Sequence, residues 1–453
     1  MLQRTALGFG SVALTSMLQA DNPLVARQPY FRPRAKRVIF LFMKGGPAHM
    51  DTFEYKPLLQ RDHGKPLPFA KPKVTFAQTG NLLASPWKFK PYGQCGHLVS
   101  ELFPNVARHV DDICFLHGTH GTNPAHGGAL LKLHTGADNF VRPSMGAWVS
   151  YGLGTENANL PAFVTICPTL AHGGVNNWGS AFLPAHYAGT PIGNASVKAK
   201  DAKVHHIKNP KWTPGQQRTQ LDYLKQLNQD HLGGTPNPVL ESRINSFELA
   251  YRMQTAMPEI QDISGETEAT RKLYGISEKE TDNFGRRCLM ARRLVERGVR
   301  FVQIYPKGQM WDNHANIKTS LPAACKQSDQ PTSALLRDLR QRGLIDDVLV
   351  LWGGEFGRLP MAQGDYAKAG RDHGPSGFTN WMAGGGVKGG TVYGETDDIG
   401  YGAVKDRVSI QDWHATILHQ LGIDHEKLFF DRNGLHEKLT HTHPTRVVKE
   451  ILA

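Results

Sequence analysis

Long apolar runs, paired cysteines and clusters of one charge are all scarce in this 453-residue chain. No apolar run approaches the roughly 20 residues that a transmembrane helix needs, so the sequence predicts no integral membrane segment. The five cysteines are widely spaced and form no Cys-x-x-Cys pair, which argues against a disulfide framework and against a cysteine zinc site. With 40% hydrophobic and 20% charged residues, the composition is that of a folded globular protein, and the length favours one large α/β domain with insertions.

The chain is basic, with a formal net charge of +12 that results from 52 Lys and Arg residues and 40 Asp and Glu residues. A basic protein attracts anions such as phosphate esters, sulfated polymers or nucleic acid, although solubility alone also explains a net charge. The basic residues are spread along the chain and do not form a stripe interleaved with aromatic residues. We therefore expect an anionic partner other than nucleic acid.

Residues 1–20 have the features of an export signal, namely a basic start, a weakly apolar run over Ala6–Leu18 and a small residue after it. The basic start is short and lacks an arginine pair, which predicts that the natural start lies upstream and supplies a twin-arginine motif. The alternative is an ordinary N-terminal helix. Residues 21–36 are predicted to be a linker and 37–453 the folded domain, so we expect a periplasmic or extracellular protein.

Continuous apolar runs predict strands that are buried on both faces of a parallel sheet. Segments with helical periodicity lie between these runs, and strands that alternate with helices predict a doubly wound, mostly parallel α/β sheet with helices on both faces. The predicted strands are 37–43, 112–117, 162–167, 299–305, 348–352 and, more weakly, 378–383, and the predicted helices are 98–110, 241–257, 284–297, 333–344 and 409–421. The stretch from about 170 to 260 is predicted to be an insertion over the active edge, ending in a helical arm.

Acidic and histidine side chains follow the ends of the later predicted strands. Asp312 and His314 come after the fourth of them, Glu355 comes after the fifth, and Asp372 and His373 lie in the loop beyond. The carboxyl ends of strands in an open α/β sheet converge on one edge, where ligands bind. Carboxylate and imidazole are the ligand set of a catalytic divalent metal. The sequence therefore predicts a metal site at this edge.

The loops after the first two strands carry further candidates. Asp51 is in the right region to be a metal ligand, with a helix N-cap or an Asx turn as the alternative. Asn123 and the proline after it predict the start of a helix, whose free N–H groups would favour an anion. Thr122 is the best-placed nucleophile there, with a turn hydroxyl as the alternative, and His126 is predicted to face the same edge as a ligand or as a satisfied histidine.

Six stretches of the chain resemble a bacterial family catalogued as domain of unknown function 1501, which groups with the alkaline phosphatase and sulfatase superfamily. They extend over most of residues 37–425, and residues 2–10 are similar to the tail of the twin-arginine signal of that family. The six stretches are Gly45-Gly-Pro-Ala-His-Met-Asp-Thr-Phe53, Arg142-Pro-Ser-Met-Gly-Ala-Trp-Val-Ser-Tyr-Gly-Leu-Gly154, Trp311-Asp-Asn-His314, Gly354-Glu-Phe-Gly-Arg358, Gly370-Arg-Asp-His373 and Ala383-Gly-Gly-Gly-Val-Lys-Gly-Gly390.

This resemblance implies an alkaline-phosphatase-like fold with two metal ions at the strand ends. Asp51 would be the ligand after the first strand, and Asp312 with His314 would form one half-site. Glu355 and His373, together with Asp372, would complete the pair of sites. Sulfatases carry Cys/Ser-x-Pro-x-Arg for a formylglycine nucleophile, whereas the comparable stretch here is Thr-Asn-Pro-Ala-His, so the resemblance does not extend to formylglycine chemistry.

We therefore expect an exported, metal-dependent hydrolase of phosphate or sulfate esters, with a sulfated or phosphorylated glycan as one form of substrate. Two ions, zinc first and calcium, magnesium or manganese as alternatives, would generate the nucleophile, which is either Thr122 or hydroxide. Arg358 or Arg371 would hold the anionic ester, and His126 would protonate the leaving group. The alternative is a non-catalytic protein that binds anionic glycans on a degenerate hydrolase fold. The sequence does not indicate an oligomeric state.

Overall fold

The computed structural model describes residues 25–70, 78–232, 237–441 and 443–453. The predicted signal over residues 1–20 lies outside the described residues. The described part of the predicted linker packs against the domain, since the amides of Arg34 and Ala35 both donate to the carbonyl of Gln420. A search of the described helices for one with the length and apolarity of a membrane span finds none.

A nine-stranded central sheet organises the described chain. Its strands are β1 (Arg37–Phe42), β2 (Ile113–His120), β3 (Phe163–Ile166), β4 (Thr190–Ile192), β5 (Phe301–Ile304), β6 (Val348–Gly353), β7 (Phe378–Ala383), β8 (Thr391–Tyr393) and β9 (Val408–Ser409). Their spatial order is β8-β2-β7-β6-β1-β5-β3-β4, with β9 also paired to β2. Every pairing is parallel except those of β7, which runs antiparallel to β6 and β2. The predicted mostly parallel α/β sheet is confirmed.

Strand β1 shows why the sheet is covered on both faces. Its side chains alternate between the two faces of the sheet, as they do in any strand. Ile39 and Leu41 belong to one buried core, whereas Val38, Phe40 and Phe42 belong to the other. A strand that is apolar on both faces must be buried on both faces, and here a layer of helices covers each face of the sheet.

The helices of nine or more residues supply those two layers. They are α1 (His126–Thr135), α2 (Met145–Leu153), α3 (Pro214–Leu232), α4 (Pro238–Gln261), α5 (Asp282–Glu296), α6 (Ile317–Gln341) and α7 (Ile410–Gln420). α1, α2 and α7 contribute to the core that contains Phe40, and α4, α5 and α6 contribute to the other. α7 begins with a capping box, in which the Ser409 hydroxyl accepts from the Asp412 amide and the Asp412 carboxylate accepts from the Ser409 amide.

Shorter elements connect the sheet and the long helices. The short helices are His49–Thr52, Pro57–Arg61 and Glu268–Leu273, and the 3₁₀ segments are Val106–Asp112, Gly174–Asn177, Ala185–Tyr187, Ala199–Asp201 and Lys449–Ile451. The small strands are Thr79–Leu82, Phe89–Tyr92, His97–Ser100, Gly357–Arg358, Met361–Gln363, His373–Gly374, Glu395–Thr396, Ala403–Lys405, Phe430–Arg432 and Leu435–Glu437.

Two sequence predictions differ from the structure. The predicted helix over 98–110 is wrong, because His97–Ser100 pairs with Phe89–Tyr92 as a hairpin and Pro104 interrupts the helical pattern before the 3₁₀ segment. The predicted insertion contains β4, which pairs with β3 at the edge of the central sheet, so part of it belongs to the core fold. The helical arm is present as α4, and α3 precedes it.

Candidate metal centre

The strand directions bring five distant loops to one edge of the sheet. β5, β1 and β6 are parallel neighbours, so the loops after them, with Asp312, His314 and Glu355, meet there. β2 runs in the same direction as β6 because both are antiparallel to β7, and α1 therefore begins with His126 at this edge. His373 precedes β7, which starts at the same edge because it runs the opposite way.

Local features fix these loops against one another. A Cβ on Gly370 would lie 2.1 Å from the carbonyl carbon of His314, so only glycine allows the two loops to approach this closely. His373 pairs with Arg358 in a short antiparallel bridge. The Asn123 side chain accepts from the Ala125 amide at 2.9 Å, and this Asx turn delays the helix, so that His126 is its first residue.

Four side chains, His126, Asp312, His314 and His373, form what we call the metal cluster. One ligand atom from each lies within 4.8 Å of the others. Asp312 is central: its Oδ1 is 2.9 Å from His314 Nε2 and 3.2 Å from His373 Nε2, and its Oδ2 is 3.2 Å from His126 Nε2. Three imidazole nitrogens around one carboxylate is a donor set suited to zinc.

The hydrogen bonds behind the rings favour the tautomer that metal ligation needs. His373 Nδ1 is 2.6 Å from the Pro124 carbonyl oxygen, and His314 Nδ1 is 2.6 Å from Gln363 Oε1. His126 Nδ1 is 2.8 Å from Glu355 Oε1. Each Nδ1–H thus has an oxygen acceptor, which leaves the lone pair on Nε2, and such outer partners are the usual companions of metal-ligating histidines.

Two further observations test whether a cation fits these residues. His126 Nε2 is buried and has no hydrogen-bond partner of acceptable geometry. The Nε2 atoms of His314 and His373 lie 3.0 Å apart, and two lone pairs at that distance repel each other unless a proton or a cation lies between them. The residues therefore fit a divalent ion through the chemistry of their donors.

The carboxylates in and beside the metal cluster stabilise positive charge at this position. Burial lowers the pKa of His126, but the adjacent carboxylates of Asp312 and Glu355 outweigh burial and raise it to about 9. Burial acts to raise the pKa of Asp312, yet the three histidines and Arg358 hold it well below its usual range. The hydrogen bond to Asp312 raises the pKa of His314, whereas burial lowers that of His373.

Glu355 lies next to the metal cluster but is engaged by other groups. It is 2% exposed, and both of its oxygens accept from the Gly45 amide, at 2.9 and 3.1 Å. Its Oε1 also accepts from His126, as described above. Glu355 therefore orients His126, and through Gly45 it fixes the loop after β1.

Asp51 and Arg371 bind each other instead of a metal or a substrate. Arg371 Nε donates to Asp51 Oδ2 at 2.6 Å and its NH2 group to Oδ1 at 3.0 Å, and neither side chain is exposed. Asp372, the neighbour of Arg371, accepts from the His373 amide at 2.8 Å and lies 3.8 Å from His314 Nδ1. These contacts replace the predicted role of Asp51 as a ligand with a buried ion pair.

Arg358 is also enclosed. Its guanidinium donates to the carbonyl oxygens of Gly45, Gly46, Trp311 and Arg371 and to Asp312 Oδ1, the last at 2.6 Å. Its side chain is not exposed. The predicted anion clamp at Arg358 or Arg371 is therefore corrected, since a substrate cannot reach either guanidinium.

Thr122 lies outside the metal cluster. Its hydroxyl donates to Asp138 Oδ2 at 3.1 Å, and the residue is exposed. The nearby Thr119 is buried in β2, and its hydroxyl donates to the Leu116 carbonyl at 3.0 Å. His414, in α7, is buried, and its Nε2 lies 2.8 Å from the Leu133 carbonyl oxygen. Neither threonine is thus placed as a nucleophile against the metal cluster.

Sequence reasoning missed two residues beside the metal cluster. Lys44 is 2% exposed and lies two residues after the end of β1. Burial lowers its pKa, although the charges of Glu355 and Asp312 act to raise it. His172 is exposed, and its ring centroid lies 5.1 Å from that of His126. The position of Lys44 at a strand end was a signal in the sequence, whereas the loop that brings His172 here carries none.

Comparisons with known proteins give a family but no activity. The profile of the family described as Protein of unknown function (DUF1501) matches residues 35–452. A comparison with curated proteins finds no match.

Solved structures give distant similarities. The PsFucS1 sulfatase from Pseudoalteromonas sp. is 13% identical, with a TM-score of 0.38 over 92% of this chain and 71% of that one. A TAB5 alkaline phosphatase mutant with bound Mg is 10% identical, with a TM-score of 0.35 over 87% and 99%. The phosphonate monoester hydrolase SpPMH from Silicibacter pomeroyi is 10% identical, with a TM-score of 0.31 over 77% and 71%. TM-scores below 0.5 do not establish a function, so the site stands on its own geometry.

Proposed function

The chain belongs to the DUF1501 family, and on that premise we propose that it is an exported, metal-dependent hydrolase of phosphate or sulfate esters. The observation that carries the proposal is the convergence of three Nε2 atoms on Asp312, each with its Nδ1 held by an oxygen acceptor. Such bracing is needed for a ligand and is superfluous for a histidine that merely fills space.

The metal cluster would hold one ion, zinc first by its donor chemistry. When bound, a divalent ion supplies Lewis acidity to a water molecule and to an ester oxygen. His126 acts in this proposal as a ligand and not as the acid, because Glu355 and Asp312 occupy both sides of its ring. Glu355 positions His126, and Gln363 positions His314.

The nucleophile in this proposal is water. The sequence left Thr122 and hydroxide as the two candidate nucleophiles. Because the Thr122 hydroxyl donates to Asp138 and the residue is exposed, we assign the attack to water or hydroxide. Hydrolysis forms a bond from the water oxygen to phosphorus or sulfur and breaks the bond to the alcohol oxygen, and one water proton ends on the departing alcohol. His172, the exposed imidazole beside His126, is the group we assign to that proton transfer.

The substrate is an anion in either form of the proposal. The net charge of +12 favours negatively charged partners, and a sulfated or phosphorylated glycan is the polymeric partner that such a surface suits. The predicted signal peptide supports a place outside the cytoplasm, where these polymers are met.

The test combines metal analysis with an ester screen. Protein purified without chelators is expected to hold a zinc-like ion, and His314→Ala and His373→Ala are expected to lose it together with phosphatase or sulfatase activity. His205→Ala, which changes an exposed histidine, is the matched control and should retain both. Retention of the ion by both cluster variants would refute the site.

The alternative from the sequence, a non-catalytic protein that binds anionic glycans, predicts a different outcome of the same experiment. It requires saturable binding of a sulfated glycan with no release of sulfate or phosphate from any ester in the screen. Turnover that disappears with the ion would exclude it.

A further inference from the structure

We infer that Lys44 is the second cation of the site: the chain holds a single metal ion, and the Lys44 ammonium binds the phosphate or sulfate group of the substrate. This inference rests on the proposed function and specifies how the site recognises its substrate. It replaces the second ion that the family resemblance implied.

The next residue in the chain, Gly45, fixes the position of the Lys44 backbone. Gly45 has a φ of +115°, and a Cβ there would lie 2.6 Å from the Asp312 amide nitrogen. The Gly45 amide donates to both oxygens of Glu355, and its carbonyl accepts from Arg358. Lys44 therefore follows β1 in a backbone segment that is hydrogen-bonded to Glu355 and packed closely against the backbone of Asp312.

The Lys44 side chain is buried but has no partner of its own. It is 2% exposed, and within the four described ranges it makes neither a hydrogen bond nor an ion pair. Its ammonium nitrogen is not among the atoms that are both closed off from solvent and unpartnered, so a small anion can reach it. A largely desolvated ammonium without a partner is costly to keep. Near a metal site, a tetrahedral oxyanion is the partner that would offset this cost, because an ammonium binds phosphate as a compact point charge.

The carboxylates that a second divalent ion would need are already engaged. Glu355 accepts from Gly45 and His126, Asp372 accepts from the His373 amide, and Asp51 is paired with Arg371. In the described part of the chain, one group of three or more potential ligands converges. A second ion would lack ligands and would be repelled by the neighbouring ammonium.

The charges of the site agree with an anionic ligand. Asp312, Glu355 and Asp372 supply three negative charges when ionised, and Arg358 with Lys44 supplies two positive ones. With the histidines neutral, as metal ligation requires, a divalent ion in the metal cluster makes this sum net positive. The metal-loaded site therefore favours an oxyanion.

The test measures metal content and anion affinity separately. Zinc-loaded wild-type protein, Lys44→Met, Lys44→Arg and Lys132→Met are titrated with inorganic phosphate and with sulfate by calorimetry, and metal is counted by mass spectrometry. Lys132 is the matched control because it is also a buried lysine, at 6% exposed, but lies in α1 away from the loop after β1.

We expect one ion per chain in all four proteins. Phosphate or sulfate affinity should fall about tenfold or more in Lys44→Met, as for a lost charge-assisted contact, should fall less in Lys44→Arg and should be unchanged in Lys132→Met. Two ions in the wild type, or equal anion affinity in wild type and Lys44→Met, overturns the inference. If Lys44→Met does not fold, the ion count and the comparison with Lys44→Arg still decide.

Failure of the proposed function gives a different result. A wild-type protein that takes up no ion at all refutes the metal site itself, whereas one ion with anion affinity independent of Lys44 refutes only this inference.

Discussion

Two groups of side chains in this protein have the same composition, three histidines and one carboxylate, and yet differ in what they can do. The first is the metal cluster. The second, which we call the histidine core, consists of His49, Glu54, His97 and His117. Among the described residues, only the first group brings a ligand atom from every member within 4.8 Å of the others.

The carboxylates of the two groups account for much of the difference. Glu54 lies 2.8 Å from the Lys56 ammonium and accepts from the Thr396 hydroxyl at 2.9 Å, so its charge is already balanced by a cation of the chain. Asp312 faces three imidazole nitrogens. A ligand set needs a carboxylate around which the imidazoles converge, and composition alone does not provide one.

The rings also differ in how they are held. In the metal cluster every Nδ1 has an oxygen acceptor behind it. In the histidine core, His49 uses Nε2 for the Gly400 carbonyl and leaves Nδ1 without a partner, while His97 stacks on Phe115 with ring centroids 3.9 Å apart. Burial is the main cause that lowers the pKa of His49 to about 4 and that of His97 to about 3.

Neutralising the carboxylate of each group in turn should give the largest difference in metal binding. Asp312→Asn should weaken metal binding by about a hundredfold or more, because the shared anionic ligand is lost. Glu54→Gln should leave metal binding unchanged. Metal retained after dialysis against a competing chelator measures both, and a loss of metal in Glu54→Gln would show that the two groups are coupled.

The second largest effect is expected from low pH, which should destabilise the fold through the histidine core. The pKa of His49 is near 6.5 in the unfolded chain and about 4 in the folded protein. As the pH falls below 6.5, the unfolded state therefore binds more protons than the folded state, and the free energy of unfolding decreases. For His49 the loss between pH 7 and pH 5 should be about 2 kcal/mol. His49→Gln should remove that part of the pH dependence of urea unfolding. Equal pH dependence in both proteins would contradict the burial of a neutral imidazole.

A smaller effect is expected when only the bracing of a ring is removed. Gln363→Ala deprives His314 Nδ1 of its acceptor, and metal affinity should fall about tenfold. Gln327→Ala, which changes a half-buried glutamine whose side chain donates only to its own helix, is the control. Metal titration with a fluorescent competitor measures both, and an unchanged affinity in Gln363→Ala would show that the acceptor does not set the tautomer.

The smallest effect is expected at Thr122, outside both groups. If water is the nucleophile, Thr122→Val should change kcat by less than about twofold, since the hydroxyl serves only the bond to Asp138. A loss of a hundredfold or more would restore Thr122 as the nucleophile. Rapid-quench analysis for a covalent phosphoryl or sulfuryl enzyme would then confirm it.

The sequence could predict the fold and the edge at which the site lies, because apolar runs mark the strands and parallel strands end together. It placed Asp312, His314 and His373 in one region for that reason. It could not predict that Asp51 binds Arg371, since this pair joins residues 320 positions apart and the same strand-end signal applies to ligands and to ion pairs.

Smaller misses have local causes. Asn123 predicted the helix start, but its Asx turn moves the first helical residue to His126, which takes Thr122 away from the site. Lys44 was overlooked because lysine belongs to no metal-ligand pattern. Its importance emerges only from its burial without a partner.

The members of the metal cluster come from both halves of the chain, and this has a mechanical consequence. His126 precedes the long excursion through α3 and α4, whereas the other three residues follow it. A bound ion would therefore act as a crosslink that closes a very long loop and restricts the unfolded chain accordingly. Removing it should allow the two halves to separate more easily, so chelation would expose the segment between them to proteases before the sheet itself is lost.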